Sequence, residues 1–327
     1  MKSLVLTHDG FQIADTPIPP LLPGYVRIEV RSVGVSRTDL KIWKGEVDVK
    51  LPMILGHEIA GVVHESSIPE LAAGVPVTTE VDISCGSCWH CTHKAKHLCE
   101  TRETLGVTVD GGMAEYIAVP YEMVHILPDP IDAVTGTFVE PLSKAIDTYT
   151  RTTVEPDENV LIVGTGKLGL LISQVYDAFG ANVYLLGDNP WHLGVARQLG
   201  LRNTLQLRSD WKRSLLDATT IGPAVVVEAT GSKEGLDLAL AVVRSGGKVG
   251  LTGRSINEYT VDPEMLIRRD ISLIGTSSGD YRMAIEMLQK GRIEVMKLVS
   301  AQYPLEQATQ AFEDAQKEEV VKVNIRI

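Results

Sequence analysis

The sequence predicts an α/β protein of two domains, one β-rich and one built on a doubly wound parallel sheet. Three observations carry this. At 327 residues the chain is too long for one ordinary core. Up to about residue 145 it reads as short strands separated by turn residues. Beyond that point apolar strand runs alternate with helical stretches, the pattern of a parallel sheet covered on both faces.

In the first part, Tyr25 to Val30 alternates, with Val26, Ile28 and Val30 on one face and Arg27 and Glu29 on the other. Gly61 to His64 and Pro76 to Val81 are further short strands. The proline-rich stretch from Thr16 to Pro23 is a loop, because proline cannot sit in a central strand. Residues 82–105 show no period and form an excursion from the sheet. In the second part, Val160 to Val163 is a strand and a helical pattern follows to Gly180. Asn182 to Leu186 and Leu193 to Leu199 repeat the strand–helix pair. Ala224 to Val227, Gly247 to Leu251 and Ile271 to Ile274 are later strands, with helical stretches such as Leu236 to Val243 between them. From Asp280 the chain reads helix, strand, helix, strand. Its end, Val320 to Ile327, alternates as an antiparallel strand returning to the first domain.

Hydrophobic residues make up 44% of the chain and charged residues 22%, with a net charge of −11. That is a soluble globular composition, and its acidic surface argues against general nucleic-acid binding. The opening MKSLVLTHDG holds an apolar run of only Leu4 to Leu6, far short of a signal-peptide core. No stretch approaches the roughly 20 apolar residues of a membrane helix. The expected location is the cytoplasm, a reducing compartment in which clustered cysteines bind metal rather than pair.

Residues 160–169 read VLIVGTGKLG, and Gly164, Gly166 and Gly169 fit G-x-G-x-x-G between a strand and a helix. Gly164 permits the tight turn, Gly166 lets the backbone approach a pyrophosphate, and Gly169 lets helix and strand pack closely. With Lys167 and Leu168 opening the helix, its N-terminal amides hold the anionic phosphates, so this is a Rossmann dinucleotide site. The acid that should bind the adenosine ribose is expected at Gly187 and stands one position later, at Asp188. A carboxylate repels a 2′-phosphate, which favours NAD and leaves NADP as the alternative.

Cys85, Cys88, Cys91 and Cys99 form C-x2-C-x2-C-x7-C, and the chain has no other cysteine. Four thiolates on one short loop close a tetrahedral shell around zinc, a structural rather than catalytic ion. An iron–sulfur cluster also uses four cysteines, but nothing else here points to electron transfer. His90, His93 and His97 share the loop and read as solvated side chains.

Three further segments, GVSRTDL (34–40), LGHEIAGVV (55–63) and FVEPLSKAI (138–146), complete a set with the cysteine loop, VGTGKLG, VEATGS (227–232) and PLEQATQAFE (304–313). In this combination and order the chain resembles, over essentially its whole length, the zinc-dependent medium-chain alcohol and polyol dehydrogenases, most closely the sorbitol and threonine dehydrogenase branch. The resemblance implies a GroES-like catalytic domain over 1–146 and 278–327, a Rossmann domain over 147–277, and an active site in the cleft. It adds Thr230 and Gly253 to the cofactor site. It implies a catalytic zinc held by His57, Glu140 and a cysteine of G-V-C-x-T-D, with Glu58 completing G-H-E and Thr38 as the proton-relay hydroxyl. That cysteine is here Ser36, a poor zinc ligand.

Ser36 leaves three readings open. Zinc still binds through His57, Glu140 and Glu58, with water or Ser36 completing the shell. Alternatively the site is metal-free and works as an NAD(P)H-dependent reductase of an activated carbonyl or alkene, a role in which Lys144, one helical turn past Glu140, is a candidate replacement charge. Or the chain is a dinucleotide-binding protein without turnover. The first reading implies oxidation of a secondary alcohol, polyol or sugar, with hydride passing to nicotinamide. The partners expected are that small-molecule alcohol or carbonyl substrate and copies of the chain itself in a homodimer or homotetramer, with neither nucleic acid nor membrane.

Overall fold

The computed structural model describes residues 1–208, 210–253 and 258–327. Two compact units emerge. The first comprises Met1–Glu140, Leu288–Lys290 and Val299–Ile327; the second comprises Pro141–Met287 and Gly291–Leu298. These limits differ from 146 and 278. The helix Val139–Arg151 leaves the first unit after Glu140, and most of the helix Tyr281–Gln289 counts with the second. A shift in strand pattern does not reveal which core a boundary helix joins.

The first unit is organised on the ten-residue strand Tyr25–Gly34, whose Val26, Ile28 and Val30 are buried as the alternation requires. It pairs antiparallel with Glu58–Ser66 on one side and with both Tyr116–Pro120 and Lys322–Arg326 on the other. The sheet continues through Pro76–Thr79 and Val124–Ile126 at one edge and Val299–Pro304 at the other. Register sets Gly34 opposite Glu58 on one neighbour and opposite Asn324 on the other. A second, three-stranded sheet joins Gly10–Asp15, Lys2–Thr7 and Met53–Ile54. Trp43 packs in the core, stacked on Phe11 with Phe312 edge-on.

The second unit carries six parallel strands in the order Asn203–Gln206, Asn182–Gly187, Asn159–Val163, Val225–Glu228, Lys248–Leu251, Ser272–Gly275. The order reverses between Asn159–Val163 and Val225–Glu228. In open sheets of this kind, ligands bind beyond the carboxyl ends of the strands at that switch point. The central strands are apolar and buried along their length, as strands covered on both faces must be. Among the described residues no helix is long and apolar enough to cross a membrane.

Candidate active site and metal centres

The cysteine loop brings its four sulfurs within 4.8 Å of one another. Cys85 and Cys91 Sγ lie 3.9 Å apart, and Cys88 and Cys91 Sγ 3.5 Å. Zinc–sulfur bonds of about 2.3 Å give a tetrahedral edge of about 3.8 Å, so the spacing fits one ion. A disulfide, at about 2.05 Å, is excluded. Backbone amides point at the sulfurs: Cys88 N donates to Cys85 Sγ and Cys85 N to Cys99 Sγ, each at 3.4 Å. The Ser87 and Cys88 amides pull the Cys85 thiol down to about 5, and the Cys85 amide lowers Cys99. At Cys88 the Cys91 amide also lowers, but desolvation and the neighbouring sulfurs outweigh it and push the thiol up to about 11. Thiolate character therefore already resides in the loop. Of the loop histidines, His93 is exposed and stacks on the exposed Trp89, whereas His90 and His97 are half-buried, with His90 Nδ1 and His97 Nε2 enclosed.

A second cluster lies within the first unit. His57, Glu58 and Glu140 are all buried, and one donor atom from each falls within 4.8 Å of the others. Three segments bring them together: the turn before Glu58–Ser66, that strand's first residue, and the start of the helix Val139–Arg151. Ser36 is buried beside them as the N-cap of the helix Arg37–Trp43. Its Oγ accepts from Asp39 N at 3.2 Å, and Asp39 Oδ2 accepts from Ser36 N at 2.8 Å, a reciprocal capping box. Asp39 Oδ1 also accepts from Gly56 N at 3.0 Å and lies 3.9 Å from His57 Nδ1. One fully buried carboxylate thus ties the Ser36 turn to the His57 turn. Thr38, half-buried, is the second residue of the helix that Ser36 caps.

Lys322 completes this cluster from the last strand. Its side chain is fully buried, with Nζ 2.8 Å from Glu58 Oε2, donating to Thr137 O at 2.9 Å and 3.8 Å from the Phe138 ring centroid. Glu58 and Lys322 stand on the two strands that flank Tyr25–Gly34, and they meet across Gly34. A Cβ there would lie 2.4 Å from Glu58 Oε2 and 2.7 Å from Lys322 Nζ. The ion pair exists because the intervening residue has no side chain.

In the second unit the glycine-rich turn follows Asn159–Val163. Gly164 adopts φ +114°, and a Cβ on Gly169 would strike Gly164 O at 1.9 Å. Gly166, the N-cap of the helix Lys167–Ala178, faces open space, with Lys167 and Leu168 half-buried behind it. Gly187 has a cause of its own. Its missing Cβ would lie 2.3 Å from Thr165 Cγ2, so the hydroxy residue of the glycine turn fills the place where an acid was expected. Asp188 is exposed just beyond. Thr230 packs against Gly164, and Gly253 abuts Gly231. Glu228 holds this turn together by accepting from Thr230 N at 2.6 Å and Gly231 N at 3.0 Å.

Comparison with known proteins accounts for both halves. Residues 22–129 match the alcohol dehydrogenase GroES-like domain, and residues 168–291 match the zinc-binding dehydrogenase domain. A sorbitol dehydrogenase of Bacillus subtilis is 31% identical, over 99% of this chain and 97% of its own. The chain belongs to the zinc-binding alcohol and polyol dehydrogenases. A D-arabitol-phosphate dehydrogenase of Enterococcus avium is 29% identical, covering 97% of this dehydrogenase and 94% of the relative. A zinc-binding dehydrogenase of Sinorhizobium meliloti, solved with NADP bound, superposes with a TM-score of 0.94 at 26% identity, covering 100% of this chain and 99% of the other.

NAD(P) and zinc are the cofactors of such an enzyme, and alcohols or polyols its substrates. Sequence reasoning about the dehydrogenase missed Lys322, which no linear motif links to Glu58. It also missed the Thr165–Gly187 contact, although the absent acid was its signal. Asp39 is buried and accepts from the backbone of both Ser36 and Gly56, which shows what it supports.

Proposed function

We propose that this dehydrogenase oxidises a secondary alcohol of a polyol or sugar, with NAD preferred to NADP. The observation that carries the reading is the buried triplet His57, Glu58 and Glu140, one imidazole and two carboxylates, a donor set that fits a divalent metal ion. A divalent ion held by His57, Glu58 and Glu140 would supply Lewis acidity, and a bound nicotinamide dinucleotide would supply the hydride acceptor. The chain's own residues do the remainder. Thr38 Oγ1 carries the proton away from the substrate hydroxyl. Asp39 keeps the His57 turn and the Ser36 turn in register. Gly164, Gly166, Lys167, Leu168 and Gly169 receive the pyrophosphate, with Thr230 and Gly253 alongside. Cys85, Cys88, Cys91 and Cys99 hold a structural zinc.

The preference for NAD rests on Asp188 and on its neighbour Asn189. Asn189 Oδ1 already accepts from the amides of Trp191 and His192, at 2.9 and 3.2 Å, so those helix-end donors are engaged. A 2′-phosphate there would meet a carboxylate and few donors. The chain works as a cytoplasmic homodimer or homotetramer.

The test is reduction of NAD and of NADP at 340 nm across a panel of polyols, sugars and their phosphates. Turnover faster with NAD, lost in Glu140→Gln and shifted toward NADP in Asp188→Ala, supports the reading. Turnover of a carbonyl or alkene that ignores Glu140→Gln assigns the metal-free reductase instead, and no turnover with any substrate assigns the non-catalytic binder.

A further inference from the structure

The glycine-rich turn of the second unit holds a hydroxyl that the protein itself does not use. Thr165 lies between Gly164, at φ +114°, and Gly166, which faces open space. It is 5% exposed, and among the described residues its Oγ1 has no hydrogen-bond partner. Buried hydroxyls elsewhere in the unit, on Thr152, Ser173 and Thr219, each donate to the carbonyl four residues back. A buried polar group without a partner is unfavourable, so the partner of Thr165 is to be sought in a ligand. The turn is tied to the strand Asn182–Gly187 by Gly164 N, which donates to Leu186 O at 2.9 Å. Across that junction the three atoms nearest to a Cβ on Gly187 all belong to Thr165: Cγ2 at 2.3 Å, Oγ1 at 2.7 Å and Cβ at 3.1 Å. Gly187 does not adopt a positive φ, so its backbone would accept any residue. It is the Thr165 side chain, not the backbone, that keeps position 187 bare.

We propose that Thr165 receives the adenosine ribose of the dinucleotide in place of a carboxylate, and that residues 165 and 187 form one coupled specificity element. The proposal deepens the dehydrogenase reading and rests on its dinucleotide site. An acid at the end of this strand would accept from the ribose hydroxyls and repel a 2′-phosphate. A threonine hydroxyl can accept from one ribose hydroxyl and donate to the other, but it carries no charge. It therefore holds the ribose without choosing between NAD and NADP, and the choice falls to the exposed Asp188 one position on. The two ways of holding the ribose exclude each other, because a side chain at 187 needs the volume that Thr165 fills.

The experiment uses the full chain and isothermal titration calorimetry with NAD, NADP and an NAD analogue whose adenosine ribose lacks both hydroxyls. Thr165→Val keeps the shape of the side chain and removes its hydroxyl. It should weaken NAD by about three- to tenfold and leave the affinity for the analogue unchanged, a split that a packing role would not produce. Gly187→Asp should weaken NAD by about tenfold or more and lower the melting temperature of the cofactor-free protein. Combining it with Thr165→Ala should recover both, and should raise the preference for NAD over NADP by about tenfold or more. If Gly187→Asp does not fold, the Thr165→Val comparison decides alone. NAD affinity unchanged in Thr165→Val, an equal loss for the analogue, or effects at 165 and 187 that simply add overturns the proposal. A different result, wild-type protein that binds neither NAD nor NADP, sinks the underlying dinucleotide site as well.

Discussion

The cysteine loop and the His57 pocket are both candidate metal centres, and they are built in opposite ways. The loop draws its four donors from Cys85 to Cys99, with Cys85 exposed and little regular structure beyond single helical turns and the short pairing of Asp82–Ile83 with Glu103–Thr104. The pocket draws on residues 34–39, 56–58, 137–140 and 322–324, nearly all buried and held by sheet register. A loop of the first kind takes its order from its ion. A pocket of the second kind takes its order from the fold, and the ion adds chemistry to a shape that already exists.

Breaking the loop should have the largest effect. Cys99→Ser is expected to release the structural zinc, whose binding in comparable small sites is worth on the order of 10 kcal/mol. Zinc content should fall by about one per chain and limited proteolysis should cut within residues 82–105, while NAD binding by the second unit persists. Next comes Asp39→Ala, which strands the buried amides of Ser36 and Gly56. At about 1–3 kcal/mol for each orphaned donor, it should lower thermal stability by several degrees. If Asp39→Ala melts like the wild type, the Asp39 carboxylate does not hold the pocket together.

Gly34→Ala probes the crossing point. The added methyl forces Glu58 and Lys322 apart, at a cost of about 1–3 kcal/mol read from the urea midpoint. Ser36→Ala should be the mildest change, about 1 kcal/mol from the lost cap, with the zinc content of the cysteine loop untouched. A second zinc lost together with that hydroxyl would show Ser36 to be a ligand and erase the contrast between the two centres.

The contrast also explains what could be read from the residues alone. Cys85 to Cys99 and Gly164 to Gly169 do their work within one turn or loop, so their spacing is visible on the line. Val26, Ile28 and Val30 declare a buried face by alternation, and the strand is there. Lys322 was invisible as a site residue, because it looks like one polar position in a terminal strand until sheet register sets it beside Gly34 and Glu58. The absence of an acid at Gly187 was legible, but its cause, the Thr165 side chain, comes from the preceding strand's turn. The hairpin Lys2–Thr7 with Gly10–Asp15 was missed because a three-residue apolar run does not distinguish a strand from a loop.

Lys322 lies on the last strand of the chain, and that placement bears on how the protein is made. During synthesis Tyr25–Gly34 and Glu58–Ser66 can pair long before Lys322–Arg326 has been translated. Until then Glu58 waits beside a gap at Gly34 without its ammonium. The His57 pocket therefore reaches its final charge only once Lys322–Arg326 has emerged and paired with Tyr25–Gly34, and a molecule cut before that strand lacks the ammonium beside Glu58.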